Sequence, residues 1–146
     1  MSTYPINLES GVLLIEAKII GQRMDTSVRM ILDTGATYTM IDPDVLVDVG
    51  YPLSQVKDKR AITTASGIEY CPFLKIKALS TLGHALKGVE ICAHSLPPGI
   101  PARGLLGLNF LRYFNIHLNF LDGHLEFWDR LKRFDNLQDF LKDLKK

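Results

Sequence analysis

Residues 30–37 of this chain run Met30-Ile31-Leu32-Asp33-Thr34-Gly35-Ala36-Thr37. Three apolar residues suit a buried strand, and a carboxylate closes it. Taking a lone carboxylate out of water costs several kcal/mol in effect unless hydrogen bonds or a proton offset it. Thr34 and Gly35 then suit a sharp turn. Asp122-Gly123 uses similar residues in what reads as a plain hairpin turn. Taken alone, the segment is therefore either a strand-ending turn or an acid held in place for chemistry.

Outward from this segment most of the chain reads as short strands. Gly11–Ile20 is rich in β-branched residues and partly alternating, and Val28–Leu32 is a second strand, joined to it through the turn-like residues 22–27. Asp42-Pro43 predicts a short helix, with Asp as the N-cap and Pro at the first helical position; Gly50 closes it. Residues 61–78 and 84–93 read as further strands. The three prolines of Ser95–Pro101 exclude regular structure. Gly104–Leu111 predicts a short buried strand followed by one or two helical turns. Asn115–Leu121 and His124–Trp128 alternate on either side of Asp122-Gly123, a hairpin pattern. From Asp135 the period changes: Leu137, Phe140, Leu141 and Leu144 share one face of a helix spanning about 135–146. The expected fold is all-β, one domain over residues 1–146, with a short internal helix and a C-terminal helix.

Composition narrows the function classes. A chain of 146 residues with 47% hydrophobic and 23% charged residues builds one core without a metal or disulfide staple. Its 17 basic and 16 acidic residues leave a net charge of +1, which gives no footprint for nucleic acid. Cys71 and Cys92 are too few for a disulfide framework and read as reduced, buried thiols. The four histidines show no metal-binding spacing, and Cys92-x-His94 is a weak hint of one, so no metal and no cofactor are expected. Glu16 and Lys18 break the first apolar run, Val12–Ile20, so neither a membrane span nor a signal peptide is expected. A soluble, cytoplasmic chain is the simplest expectation.

The apolar run, Asp-Thr-Gly-Ala-Thr and the apolar stretch that follows together resemble the retropepsin family of aspartic proteases. The family's second mark, two apolar residues and a glycine far downstream, is matched by Leu105-Leu106-Gly107, with Asn109 two positions on. Ile62–Tyr70 stands where the family has a flap hairpin, with Ser66-Gly67 as the expected tip. The resemblance covers about Gly11–Trp128 and is nearer in character to the cellular and bacterial single-lobed group than to the viral enzymes. It implies a closed β-barrel of one lobe, with Asp33 as the catalytic acid of an aspartic endopeptidase. Thr34 would bond across a two-fold axis, and the Gly35 amide would donate to Asp33. Ala36 stands where pepsin-like relatives place a hydroxyl donor. Such a bond stabilises a carboxylate's ionised form, so its absence implies a less acidic optimum than a pepsin-like enzyme has. Thr64, Ala65, Ser66 and Gly67 would form the flap over an extended peptide. Leu106, Gly107 and Leu108, with Ile62 and Ile68 nearby, would shape an apolar substrate pocket.

The resemblance makes a sharp demand. Aspartic proteolysis uses two carboxylates sharing one proton, one acting as base on a water and the other polarising the scissile carbonyl. Two charges about 4 Å apart repel by roughly 4 kcal/mol at an effective dielectric of 20, or about 3 pKa units, so such a pair stays singly protonated over a working pH range. This chain supplies one such acid. Asp25-Thr26-Ser27 lacks the glycine and the apolar strand, and the chain is too short for two lobes. A homodimer that places two copies of Asp33 on its axis answers the demand. The expected partners are a second copy and a peptide or protein substrate. The rival expectation is a non-proteolytic dimerisation or peptide-binding module. Thr37 and Leu108 replace the acidic and basic residues that pair in viral relatives; both charges are absent together, so neither is left unpaired.

Overall fold

The computed structural model describes residues 2–9 and 11–129. The helix expected over 135–146 lies outside the described residues.

The pattern of Val12–Ile20 shows why these residues form a strand. Leu14, Ile15, Ala17 and Ile19 are buried while Glu16 and Lys18 are exposed, the alternation of a sheet with one face on a core. This strand is β3; β1 (Ser2–Pro5) and β2 (Asn7–Glu9) precede it. It pairs antiparallel with β4 (Asp25–Leu32), from Leu14↔Ile31 to Ile20↔Asp25. After β5 (Thr39–Ile41) comes α1 (Pro43–Asp48), capped as the sequence predicts: the Asp42 side chain accepts from Asp44 N at 2.9 Å. The flap hairpin is β6 (Lys59–Thr64) and β7 (Gly67–Lys75). Then follow β8 (Ala78–Thr81), β9 (His84–Lys87), β10 (Glu90–Ala93), β11 (Gly104–Leu106), α2 (Leu108–Leu111), β12 (Phe114–Asn119) and β13 (His124–Asp129).

The main sheet runs β6-β7-β10-β5-β11-β4-β3-β8-β9, with β2 also on β3; β1-β13-β12 forms a second, three-stranded sheet. The all-β class is as expected, but the expected closed barrel is not: over the described residues the main ladder is open, ending at β6 and β9. The hairpin β6–β7 projects as one end, with Ile68 and Tyr70 at 70% and 74% exposure, and β12–β13 pair with β1 instead of continuing the ladder. The two sheets share one core, in which Ile19, Met30, Ile41, Ile91, Leu106, Phe110 and Phe127 are fully buried. Tyr51 stitches this core from below. Its hydroxyl donates to Ile20 O and accepts from Lys77 N, both at 2.7 Å, and burial pushes its pKa up.

Candidate active site

Asp33 stands directly after β4, and β11 lies between β4 and β5, parallel to the first and antiparallel to the second. Leu105 and Leu106 align with Ile31 and Leu32, and Asp33 N donates to Leu106 O at 3.0 Å. The two motifs, far apart in the chain, are therefore side by side. Leu108 N donates to Ala36 O at 2.8 Å and Asn109 N to Thr37 O at 3.2 Å, so the loop after Asp33 rests on the start of α2.

Within the loop, Gly35 N donates to Asp33 Oδ1 at 2.9 Å, as the resemblance implies. A side chain at Gly35 would place its Cβ 3.2 Å from the same oxygen, a tight approach. Gly107 is more constrained, since a Cβ there would sit 2.6 Å from Tyr38 O and 2.9 Å from Ala36 O. Thr34 is exposed and Asp33 and Ala36 are half-buried. Leu106 is fully buried, so its side chain belongs to the core and only its backbone borders Asp33. Of the residues expected to line a pocket, Leu108 presents its side chain to the surface, at 42% exposure.

A polar network beneath the loop was not foreseen. Thr39 is fully buried. Its N and Oγ1 donate to Asn109 Oδ1 at 2.8 and 2.9 Å, and its Oγ1 accepts from Gly107 N at 3.1 Å. Asn109 Nδ2 donates to Glu90 O at 2.6 Å. These bonds fasten β5, α2 and β10 under Asp33, and together they satisfy polar groups that would be costly to bury alone. Asn109 stands out in the sequence by its place after Leu105-Leu106-Gly107; nothing local marks Thr39.

The flap turn comprises Ala65 and Ser66, one residue before the expected tip, and Gly67 opens β7 with φ at +128°. Thr64 Oγ1 donates to Gly67 O at 3.0 Å across the turn. At the flap's base Arg60 bonds Asp58 at 2.8 Å and Glu90 at 2.6 Å, and its guanidinium lies 4.5 Å from the Phe73 ring centre. The Arg60 bond holds the Asp58 carboxyl below its usual range. Phe73 in turn meets Tyr38 edge-on at 5.0 Å, which links the flap to the Asp33 loop. Glu69 bonds His94.

Cys71 and Cys92 are free, as expected, and buried together with Phe73. Burial pushes the Cys92 thiol up to about 12 and raises that of Cys71, the reverse of what a thiolate nucleophile needs. His94 Nε2 bonds Glu69, and no group of three or more side chains able to hold a metal occurs among the described residues. Among those residues, too, no helix is long and apolar enough to cross a membrane.

An aspartate hydrogen-bonded by a turn glycine, set against an apolar-apolar-glycine strand on an all-β frame, places the molecule with acid-protease folds. The chain belongs to the aspartyl protease family, whose model matches residues 15–110. Its fold is retropepsin-like: it is similar to the crystal structure of a retropepsin-like aspartic protease from Rickettsia conorii, with a TM-score of 0.67, 18% identity, and coverage of 87% of this chain and 91% of that one. No curated protein matches the sequence.

Proposed function

We propose that the protein is an aspartic endopeptidase built as a homodimer of single-domain chains, in which Asp33 and the partner's Asp33 form the catalytic pair. The observation that carries this reading is the state of Asp33 in one chain. One carboxylate oxygen is fixed by Gly35 N, and no other group among the described residues bonds the carboxylate. The neighbouring Thr34 is exposed. Half of a two-carboxylate site has this form: an oriented, half-buried acid beside an exposed threonine, with its charge partner still to come.

In the dimer one carboxylate takes a proton from the attacking water, and the protonated one polarises the scissile carbonyl. Thr34 bonds across the axis, and the Ala65-Ser66 turn, with Thr64 and Gly67, covers an extended peptide that adds main-chain bonds between flap and floor. Dimer formation by interleaved chain ends, as in viral relatives, is disfavoured here, because β1 already pairs with β13 of its own chain. Among the described residues no strand pairs with the outer edges of β1 and β12 in the three-stranded sheet, and these edges suit an interface of another kind.

The test is cleavage of an unfolded-protein or peptide library between roughly pH 3 and 7. Wild type cleaves and Asp33→Asn does not, while both keep the same circular dichroism. A well-folded wild type that cleaves nothing in that range leaves the non-proteolytic module as the better reading.

A further inference from the structure

Beside the Asp33 loop lies a cavity of about 690 Å³. One wall is Thr37 and Tyr38, which lead out of the loop. A second is formed by Leu108 and Asn109 of α2 with Arg112 and Tyr113 after it. The third is the β9–β10 turn, with Lys87 and Glu90. Thr37 and Tyr38 donate no backbone hydrogen bond to the described residues, so their amides are available to a strand laid alongside. A peptide crossing Asp33 and following residues 35–38 carries its outer residues to the cavity's mouth.

The charges at that mouth are unequal. Lys87 and Arg112 line it and form no ion pair among the described residues. Glu90, the acid in the lining, is held by Arg60 at 2.6 Å. Arg112 is partly fixed, since its Nη2 donates to the Tyr113 hydroxyl at 3.0 Å and its guanidinium lies 5.1 Å from that ring's centre. Leu86, Val89 and Leu108 add apolar surface to the lining, which the methylenes of a long polar side chain can cover.

We propose that this cavity is a substrate subsite that receives an acidic side chain, glutamate or aspartate, at a peptide position beyond the residues flanking the scissile bond. The proposal rests on the protease reading, and a two-fold dimer then carries two such subsites, one on each side of the cut.

The experiment uses peptides of one sequence with Glu or Gln at each outer position in turn, and their binding to the Asp33→Asn protein by fluorescence anisotropy at low salt. At one outer position on each side the Glu peptide binds about fivefold more tightly, the scale of two solvent-exposed ion pairs, and added salt shrinks the difference. Lys87→Gln combined with Arg112→Gln removes it. Equal affinities at every outer position overturn the subsite, as does a preference that survives the double substitution or a failure of both peptides to bind. Cleavage by wild type separates the two readings. Equal cleavage of Glu and Gln peptides removes the subsite and leaves the protease standing. A Glu preference in binding, with no peptide cleaved, removes the protease and leaves the acidic subsite.

Discussion

Replacing Thr39 by Val tests the network that holds the Asp33 loop. The two side chains have nearly the same shape, and residue 39 is fully buried, so the change removes a hydroxyl with little change in volume. The lost bonds are Oγ1 to Asn109 Oδ1 at 2.9 Å and Gly107 N to Oγ1 at 3.1 Å. Asn109 Oδ1 keeps Thr39 N as a donor at 2.8 Å. The Gly107 amide has no such reserve and becomes a buried, unpaired donor, which costs about 1–3 kcal/mol. A loss near 2 kcal/mol lowers Tm by roughly 7 °C for a domain of this size. Thr39→Ser is the control: it keeps both bonds and gives up a methyl group worth about 0.8 kcal/mol. Urea unfolding at one fixed protein concentration, which holds any contribution from self-association constant, should rank wild type above Ser and Ser above Val. A Val variant as stable as the Ser variant refutes the account of the network.

Gly107→Ala forces a Cβ to 2.6 Å from the Tyr38 carbonyl, where only backbone can yield. It should cost more than about 2 kcal/mol, measured by the same unfolding assay, whereas Gly123→Ala, with open space around it, should show only the strain of its positive φ. The Cys92 thiol, raised by burial from 9.0 to about 12, stays neutral in the folded chain after it has ionised in the unfolded one. Its contribution to stability is thus complete below pH 9 and is lost between about pH 9 and 12. Alkaline unfolding curves of Cys92→Ala should lack that part of the slope. Ala36→Ser restores a hydroxyl donor beside Asp33, and the acid limb of the activity profile should move to lower pH; an unchanged limb argues that residue 36 does not reach the carboxylate.

The parts of this architecture legible in the sequence are those fixed by neighbours in the chain. The β3–β4 hairpin follows from alternation, α1 from Asp42-Pro43, and the Asp33 turn from Thr34-Gly35. What needed the structure depends on distant segments meeting. The Thr39–Asn109 bonds exist because β11 is inserted between β4 and β5, and no local pattern encodes that insertion. Arg60 reads as an ordinary strand cation until Asp58, Glu90 and Phe73 surround it. Strand β2 was missed because Asn7, Leu8 and Glu9 are all exposed and so carry no inside-outside alternation. The flap turn falls one residue early because Gly67, which has the φ of a turn residue, already pairs with Thr64 in the ladder. Closure of the barrel, inferred from resemblance alone, gave way to an open ladder with a projecting hairpin.

Mixing subunits probes most directly whether one acid per chain makes a site only in pairs. Wild-type protein is combined with Asp33→Asn protein in varied proportion at constant total concentration, allowed to exchange subunits, and assayed on a cleavable peptide. If each site needs Asp33 from both chains, activity falls as the square of the wild-type fraction, to about a quarter in an equal mixture. A linear fall, to about a half, means that each chain hydrolyses peptides with its own acid and contradicts the shared site.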